Sequence, residues 1–363
     1  LKRVVMIGVN PPGSFIWDAG VIDAQIGDYA RLCAEDAVCG SRGDDLAGTM
    51  SAVSREMPER WLFLPIDEDK VKLITFIMFS ESIRPPGDPI GIYGPAAVDM
   101  WQAAAEGDAS GMALASLLSN RFLPNFYTWG HTLAMGGGSV EYDDENRDYA
   151  SELDPPDSIL GAPFSLLMWG MGQGWPANPI AEEYHLAQPS DVETLLESGS
   201  IDFMNPPQDA TEKLAPVLSN GQQVILKEFG HGNSFWNSQP EAREQLLTTY
   251  FATGEVDASG YTYQPPDFDV GGGLPGLART ALIIATVLII VLLALVPNPN
   301  DPDAGFGSFF SRSWLLSSRG APPWMKRWFV VTTLVVLPLK RLLQTLYFQR
   351  RTKCDVHSCS GPW

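Results

Sequence analysis

Apolar residues open the chain as an unbroken run, Val4-Val5-Met6-Ile7-Gly8-Val9, closed by Asn10-Pro11-Pro12-Gly13. A Val- and Ile-rich run of this length, bounded by turn residues, predicts a fully buried strand. From about 20 to 188 the pattern turns helical and interrupted. Ala96–Ala105 and Gly111–Leu118 form two short Ala-rich helical stretches, separated by Gly107-Asp108. Pro85-Pro86-Gly87, Gly136-Gly137-Gly138 and Pro155-Pro156-Asp157 mark loops between the helical stretches. Regularity returns near 191. Val192–Glu197 reads as a short apolar strand, Gln208–Leu218 has helical spacing with Ala210, Leu214 and Val217 on one side, and Gln223–Glu228 reads as another strand. Ser238-Gln239-Pro240-Glu241 then predicts a helix start, with Ser238 as cap, Glu241 completing a capping box and Pro240 in the first turn. Gly254 is its natural stop. Strand, helix, strand, helix in this order implies parallel strands.

Residues 257–273, rich in Gly, Pro, Asp and Tyr, read as a linker. Ala281–Val296 is continuously apolar apart from one Thr, and counting back to Leu274 gives 23 positions. That length crosses a bilayer of roughly 30 Å at about 1.5 Å per residue, with Arg279 near one end able to snorkel. A second apolar stretch, Trp328–Leu339, is bracketed by Lys326-Arg327 and Lys340-Arg341. It fits a tilted second helix or an interfacial one. The expected organisation is therefore a core strand region 1–19, a helical lid 20–188, a second core region 189–256, the linker, a transmembrane helix 274–297 and a basic tail 298–363.

Charge sharpens this division. The net charge is -19, but residues 1–270 hold 14 Lys and Arg against 40 Asp and Glu, while 271–363 hold 10 against 3. An acidic body disfavours nucleic acid, whose phosphates need clustered Lys and Arg. The basic residues after the first apolar helix (Arg312, Arg319, Lys326, Arg327) place that loop in the cytoplasm by the positive-inside rule, and the body outside. The four cysteines fall in two close pairs. Cys33 and Cys39 suit a local disulfide in an extracytoplasmic body, or two reduced thiols on a helix-turn segment. Cys354 and Cys359, with His357, offer three metal ligands without a fourth, which argues against a metal there. Trp101, Trp129, Trp169 and Trp175 either fill a core or line an apolar pocket.

Two loops carry the candidate chemistry. Each leaves the carboxyl end of a predicted parallel strand, where open α/β sheets place their ligands. One presents Asp202 and the other His231, 29 positions later. Acyl transfer needs a base that takes a proton from a hydroxyl, and a carboxylate that fixes the tautomer of that base. The order Asp before His is that of the second and third members of a Ser–Asp–His triad on this architecture. His131 and His185 have no such context.

At these residues the chain resembles a family. Ser198-Gly199-Ser200-Ile201-Asp202-Phe203-Met204-Asn205-Pro206-Pro207 is similar to the acid loop of α/β-hydrolases near the tripeptidyl aminopeptidase and proline iminopeptidase group. Phe229-Gly230-His231-Gly232 resembles its histidine loop, and Tyr250-Phe251-Ala252-Thr253-Gly254-Glu255 its terminal helix. The Cys33–Cys39 segment is similar to a cysteine pair in the lid of secreted members, and Leu1 to Phe15 resembles the strand after the nucleophile elbow. The likeness is specific over 190–256, looser over 1–45, and does not reach the membrane tail.

The resemblance implies a partial α/β-hydrolase fold, a parallel sheet with flanking helices, a large helical lid and a carboxyl-terminal transmembrane tail. It implies Asp202 and His231 as catalytic residues. The elbow G-x-S-x-G occurs nowhere in the 363 residues. Gly137-Gly138-Ser139-Val140-Glu141 comes closest and lacks the last glycine. The expectation is a carboxyl-terminal portion of a membrane-anchored serine hydrolase, inactive by itself, with serine and oxyanion loop upstream of Leu1. Its substrate would be a small peptide or an ester, its remaining contact membrane lipid, with no cofactor and no metal. Carboxylesterase or lipase-like activity, and a non-catalytic membrane-tethered scaffold, are the alternatives. A transporter does not fit one or two helices without a buried ionisable pathway.

Overall fold

The computed structural model describes residues 2–88, 91–134, 140–142, 144–175 and 181–295. Ser139, Trp328–Leu339 and the tail residues Cys354, His357 and Cys359 lie outside them. The chain divides into Leu1–Thr280 and Ala281–Trp363.

The first unit begins with β1 (Arg3–Ile7) and passes into helices α1 (Ala19–Glu35), α2 (Ala37–Gly40) and α3 (Leu46–Arg55). A small antiparallel pair follows, β2 (Arg60–Trp61) and β3 (Leu64–Pro65), too short to show in an alternation pattern. Six helices come next: α4 (Glu68–Phe79), α5 (Gly94–Ala105), α6 (Ser110–Phe126), α7 (Trp129–Thr132), α8 (Tyr149–Leu153) and α9 (Pro163–Gly172). Aspartates start many of these helices. Asp18, Asp36, Asp45, Asp67 and Asp148 each accept from a backbone N–H of the first turn, so part of the body's acidity serves as helix caps. Cys33 at the end of α1 and Cys39 in α2 are joined by a disulfide.

This helical region has one aromatic core. Trp101, Tyr29, Phe76 and Phe79 are fully buried in it, and Trp17 meets Phe164 edge-on at 4.8 Å. Trp101 donates to Thr75 Oγ1 at 2.9 Å and is a core residue, while Trp129 and Trp169 pack half-buried against the same cluster.

Regular structure resumes with β4 (Glu193–Gly199), then α10 (Pro207–Asp209), continued by a wide turn over Ala210–Leu214 and a tight one over Ala215–Val217. β5 (Gly221–Leu226), α11 (Gly232–Asn237) and α12 (Pro240–Thr253) follow. The sheet order is β1-β4-β5, all parallel, with Ile7 beside Glu197 and Glu197 beside Val224. As the central strand, β4 is buried on both faces. Leu195 packs with Phe229, Phe235, Leu246 and Tyr250, and Leu196 with Ala210, Leu214 and Leu218 on the other side. β1 is half-buried along its whole length rather than fully buried as the sequence suggests. Among the described residues it pairs on one side only, with β4.

Two further differences have local causes. The capping box does not form: Gln239 stands at the cap of α12 and its side chain makes no bond to the first turn, and the Ser238 hydroxyl donates back to the Ser234 carbonyl. Pro240 still opens the helix, and Gly254 ends it in the left-handed conformation. Residues 257–273, which read as a linker, are packed down. Gln239 donates to the Thr262 carbonyl and accepts from the Thr262 N–H, both at 2.8 Å, and Phe268 is buried.

Helix α13 spans Gly273–Leu295. Leu274 and Ala278 are buried, Ser110 donates to the Pro275 carbonyl, and Arg279 pairs with Asp108 at 2.7 Å. In the second unit, apolar side chains of the helix stand in the open, Ile284 and Leu288 among them. Gly273–Leu292 is long and apolar enough to cross a membrane.

If Trp101 centres the helical core, Trp101→Ala should destabilise the body by about 3–5 kcal/mol through cavity formation. Denaturant unfolding of the purified protein checks this; a loss below about 1 kcal/mol would place the core elsewhere.

Candidate active site

The carboxyl ends of β1, β4 and β5 bring together three segments distant in sequence: Gly8, the turn at Asp202 and the loop at His231. Asp202 is completely buried. Its Oδ1 accepts from the N–H groups of Met204 (2.8 Å) and Asn205 (2.9 Å), an Asx-type turn that holds the carboxylate in one orientation. Its Oδ2 lies 2.9 Å from His231 Nδ1.

The acid loop is held from the helical side as well. Gln25 of α1 donates to the Asp202 carbonyl (2.6 Å) and Trp17 to the Met204 carbonyl (2.6 Å). Phe203 enters the aromatic core and stacks on Phe79 at 4.9 Å. Asn205 Nδ2 donates to the Gly8 carbonyl.

The histidine loop threads a narrow gap. The His231 N–H donates to the Ser80 carbonyl at 2.5 Å, and the Ile201 N–H donates to the Phe229 carbonyl at 3.2 Å. Glycine is required on both walls. A Cβ at Gly230 would collide with the Ser80 carbonyl, and one at Gly199 with the Phe229 carbonyl. Gly8, in the left-handed conformation, sits so close to the imidazole that a Cβ there would lie 3.0 Å from His231 Nδ1.

Three carboxyl groups face this one imidazole. Burial lowers the His231 pKa, but the hydrogen bond and charge of Asp202, with the charges of Glu81 and Glu197, outweigh it and leave the pKa raised. Glu81 is occupied by Ser234, whose N–H and hydroxyl both donate to Oε2 at 3.1 Å. Glu197 lies in β4 on the same face as Leu195 and is 2% exposed. Burial, reinforced by the Asp202 charge and opposed by His231, pushes its pKa from 4.5 up to about 8. Its carboxyl therefore holds its proton well above the usual carboxylate range. The His231 side chain remains 33% exposed, with Nδ1 taken by Asp202 and Nε2 the ring nitrogen left for a reacting hydroxyl.

The structure thus brings the two residues singled out in the sequence into one hydrogen-bonded pair. His131 is exposed on α7 and His185 half-buried in a loop, both outside the pair. Glu81, Glu197 and Gly8 were not singled out as site residues. Glu197 had a signal, an acid in the middle of an apolar strand. Glu81 had none, since its contact to Ser234 spans 153 positions. Among the described residues no cluster of three or more His, Cys, Asp or Glu is arranged to hold a metal. A separate cavity of about 130 Å³, lined by Cys39, Arg42, Asp99, Gln102 and Phe268, shares no residue with the pair.

Residues 165–262 match the family model of TAP-like protein, a stretch that contains β4, Asp202, β5, His231 and α12. The match covers well under half of the chain and supports a relation to the α/β-hydrolase superfamily. No curated protein matches the chain. The parallel sheet with flanking helices agrees with that relation.

The Glu197 proton gives a pH signature. Unfolded, this carboxyl ionises near 4.5; folded, near 8. Between those values only the folded state holds the proton, so stability is full below the lower pH and falls as pH rises through the upper. Glu197→Gln should abolish that fall. We expect it to match wild type in Tm at pH 5 and exceed it by on the order of 5 °C at pH 8.5. Parallel Tm curves for the two proteins across this range would refute the assignment.

Proposed function

We propose that this chain supplies the acid and base of a membrane-anchored serine hydrolase, of the exopeptidase kind, that works through an acyl-enzyme. The observation that carries the reading is the 2.9 Å contact between His231 Nδ1 and the buried, oriented Asp202 carboxylate. Asp202 fixes the tautomer that keeps the proton on Nδ1, leaving Nε2 to act as base. His231 takes the hydroxyl proton of a serine as that oxygen adds to the substrate carbonyl. It then returns the proton to the leaving amine or alcohol. In the second half it takes a proton from water as the water oxygen adds to the acyl carbonyl, then gives that proton to the serine oxygen as the carboxylic acid leaves.

The serine would be carried on a strand pairing with β1 on the side that has no partner among the described residues. Two facts support this: the sequence has no G-x-S-x-G, and β1 has a partner on one side only among the described residues. The helical region 20–188 would act as the lid that selects the substrate. Peptide and ester substrates share the chemistry, so an esterase is the nearest variant. The lack of the elbow motif also favours a second reading, a membrane-tethered scaffold without catalysis.

Intact mass of the natively produced protein separates the two first. A mass well above 39.6 kDa would admit the missing elbow. The longer form should then label with a serine-directed fluorophosphonate, and His231→Ala should slow labelling by at least ~10³-fold. A longer form that carries a serine elbow and still does not label would establish the scaffold.

The apolar helix at Gly273–Leu292, the disulfide and the basic residues Arg312, Arg319, Lys326 and Arg327 support an extracytoplasmic body. Protease added outside intact cells should then digest residues 1–270 and spare the apolar helix. Full protection of the body would reverse the orientation.

A further inference from the structure

Glu228 stands three positions before His231 and has a backbone found mainly in glycine, with φ at 58°. Its side chain is 2% exposed. A residue in this conformation persists only where its surroundings over-determine it, and here three elements do so. The Glu228 N–H donates to Ser200 Oγ at 2.8 Å, which ties the turn to the acid loop. Arg31 of α1 approaches the carboxylate at 3.7 Å from the helical region. The Tyr263 hydroxyl donates to Oε2 from the strap between α12 and α13.

The strap braces the histidine loop along its length. Tyr261 lies edge-on to Phe229 at 5.8 Å, Thr262 is clamped by Gln239, and Lys227 caps the Tyr263 ring at 4.2 Å. Only two residues separate Glu228 from His231, and both Gly230 and Gly199 leave no lateral room. The direction in which the chain leaves Glu228 therefore decides whether the imidazole meets Asp202.

We infer that Glu228 and Tyr263 are positioning residues for His231: the strap holds a strained turn that points the histidine at Asp202. This rests on His231 being the base of the proposed hydrolase. Neither residue touches the reacting atoms. Their effect passes through the backbone.

The test is the His231 titration midpoint, read by NMR of histidine-labelled full chain in micelles, with the signal assigned by His231→Gln. Asp202→Asn gives the midpoint of a lost pair, lower than wild type. Glu228→Ala keeps the strain and loses its restraints, so its midpoint should move at least about halfway to that value. Glu228→Gly loses the carboxylate but takes the left-handed turn freely, and should stay within about 0.3 pH units of wild type. Tyr263→Phe, at a half-exposed position, should shift in the same direction as Glu228→Ala.

An unchanged midpoint in Glu228→Ala overturns the proposal. Equal shifts in the Ala and Gly variants also overturn it, because they would mean that the lost charge acts through space. Should Glu228→Ala not fold, Tyr263→Phe decides alone, and a wild-type midpoint there is refutation. None of these readouts needs catalysis. Failure of the longer form to label would sink the hydrolase reading and leave the titration result standing.

Discussion

A carboxylate with no solvent exposure costs several kcal/mol to bury unless its oxygens are engaged by donors. Asp202 is in that position, and much of the surrounding structure follows from satisfying it. Two backbone N–H groups from its own turn occupy one oxygen, and His231 the other. The first requires the chain to fold back at Met204 and Asn205. The second requires a loop from another strand to arrive within hydrogen-bond distance. Phe203 serves the same end: stacked in the aromatic core, it prevents the acid loop from lifting away to hydrate its carboxylate. The glycines at 8, 199 and 230 lie where the segments that converge on this bond come too close for a side chain.

The same bond explains how three acids can surround one imidazole. If all were ionised and unpaired, their mutual repulsion in a poorly hydrated site would be severe. The structure resolves this differently for each. Asp202 has backbone donors and the histidine, Glu81 has the N–H and hydroxyl of Ser234, and Glu197 keeps its proton. The result is an imidazole more basic than an isolated one, held in a single tautomer. A base of this kind suits proton transfer from a hydroxyl near neutral pH.

Much of the sheet region was legible in the sequence because its signals are local. Apolar runs ending in turn residues mark β1, β4 and β5, and Asp202 and His231 follow the last two within a few residues. The interrupted helical pattern was legible as a pattern, but not in its detail. The α6 helix runs through Pro124 to Phe126, past the Gly111–Leu118 stretch that periodicity marks. The capping box at Ser238 had the right residues and still lost, because the Ser234 carbonyl within α11, four residues back, took the hydroxyl as its donor. Contacts such as Gln25 to the Asp202 carbonyl or Ser234 to Glu81 join positions more than 150 apart. No spacing rule reaches that far.

The strap shows most clearly what composition conceals. Gly, Pro, Asp and Tyr at 257–273 read as a flexible linker, because turn formers outnumber apolar residues. A linker stays loose only if it has nothing to bury and no backbone group to satisfy. This one has Phe268 and two tyrosines facing apolar or carboxylate partners, and a paired backbone at Thr262. Aromatic side chains lose little conformational freedom on docking for the area they bury. A few of them therefore suffice to pin a segment whose other residues prefer turns. The strap joins α12, on one face of the sheet, to the first turns of α13, which pack on α6. It ties the histidine loop and the helical region to one continuous stretch of chain.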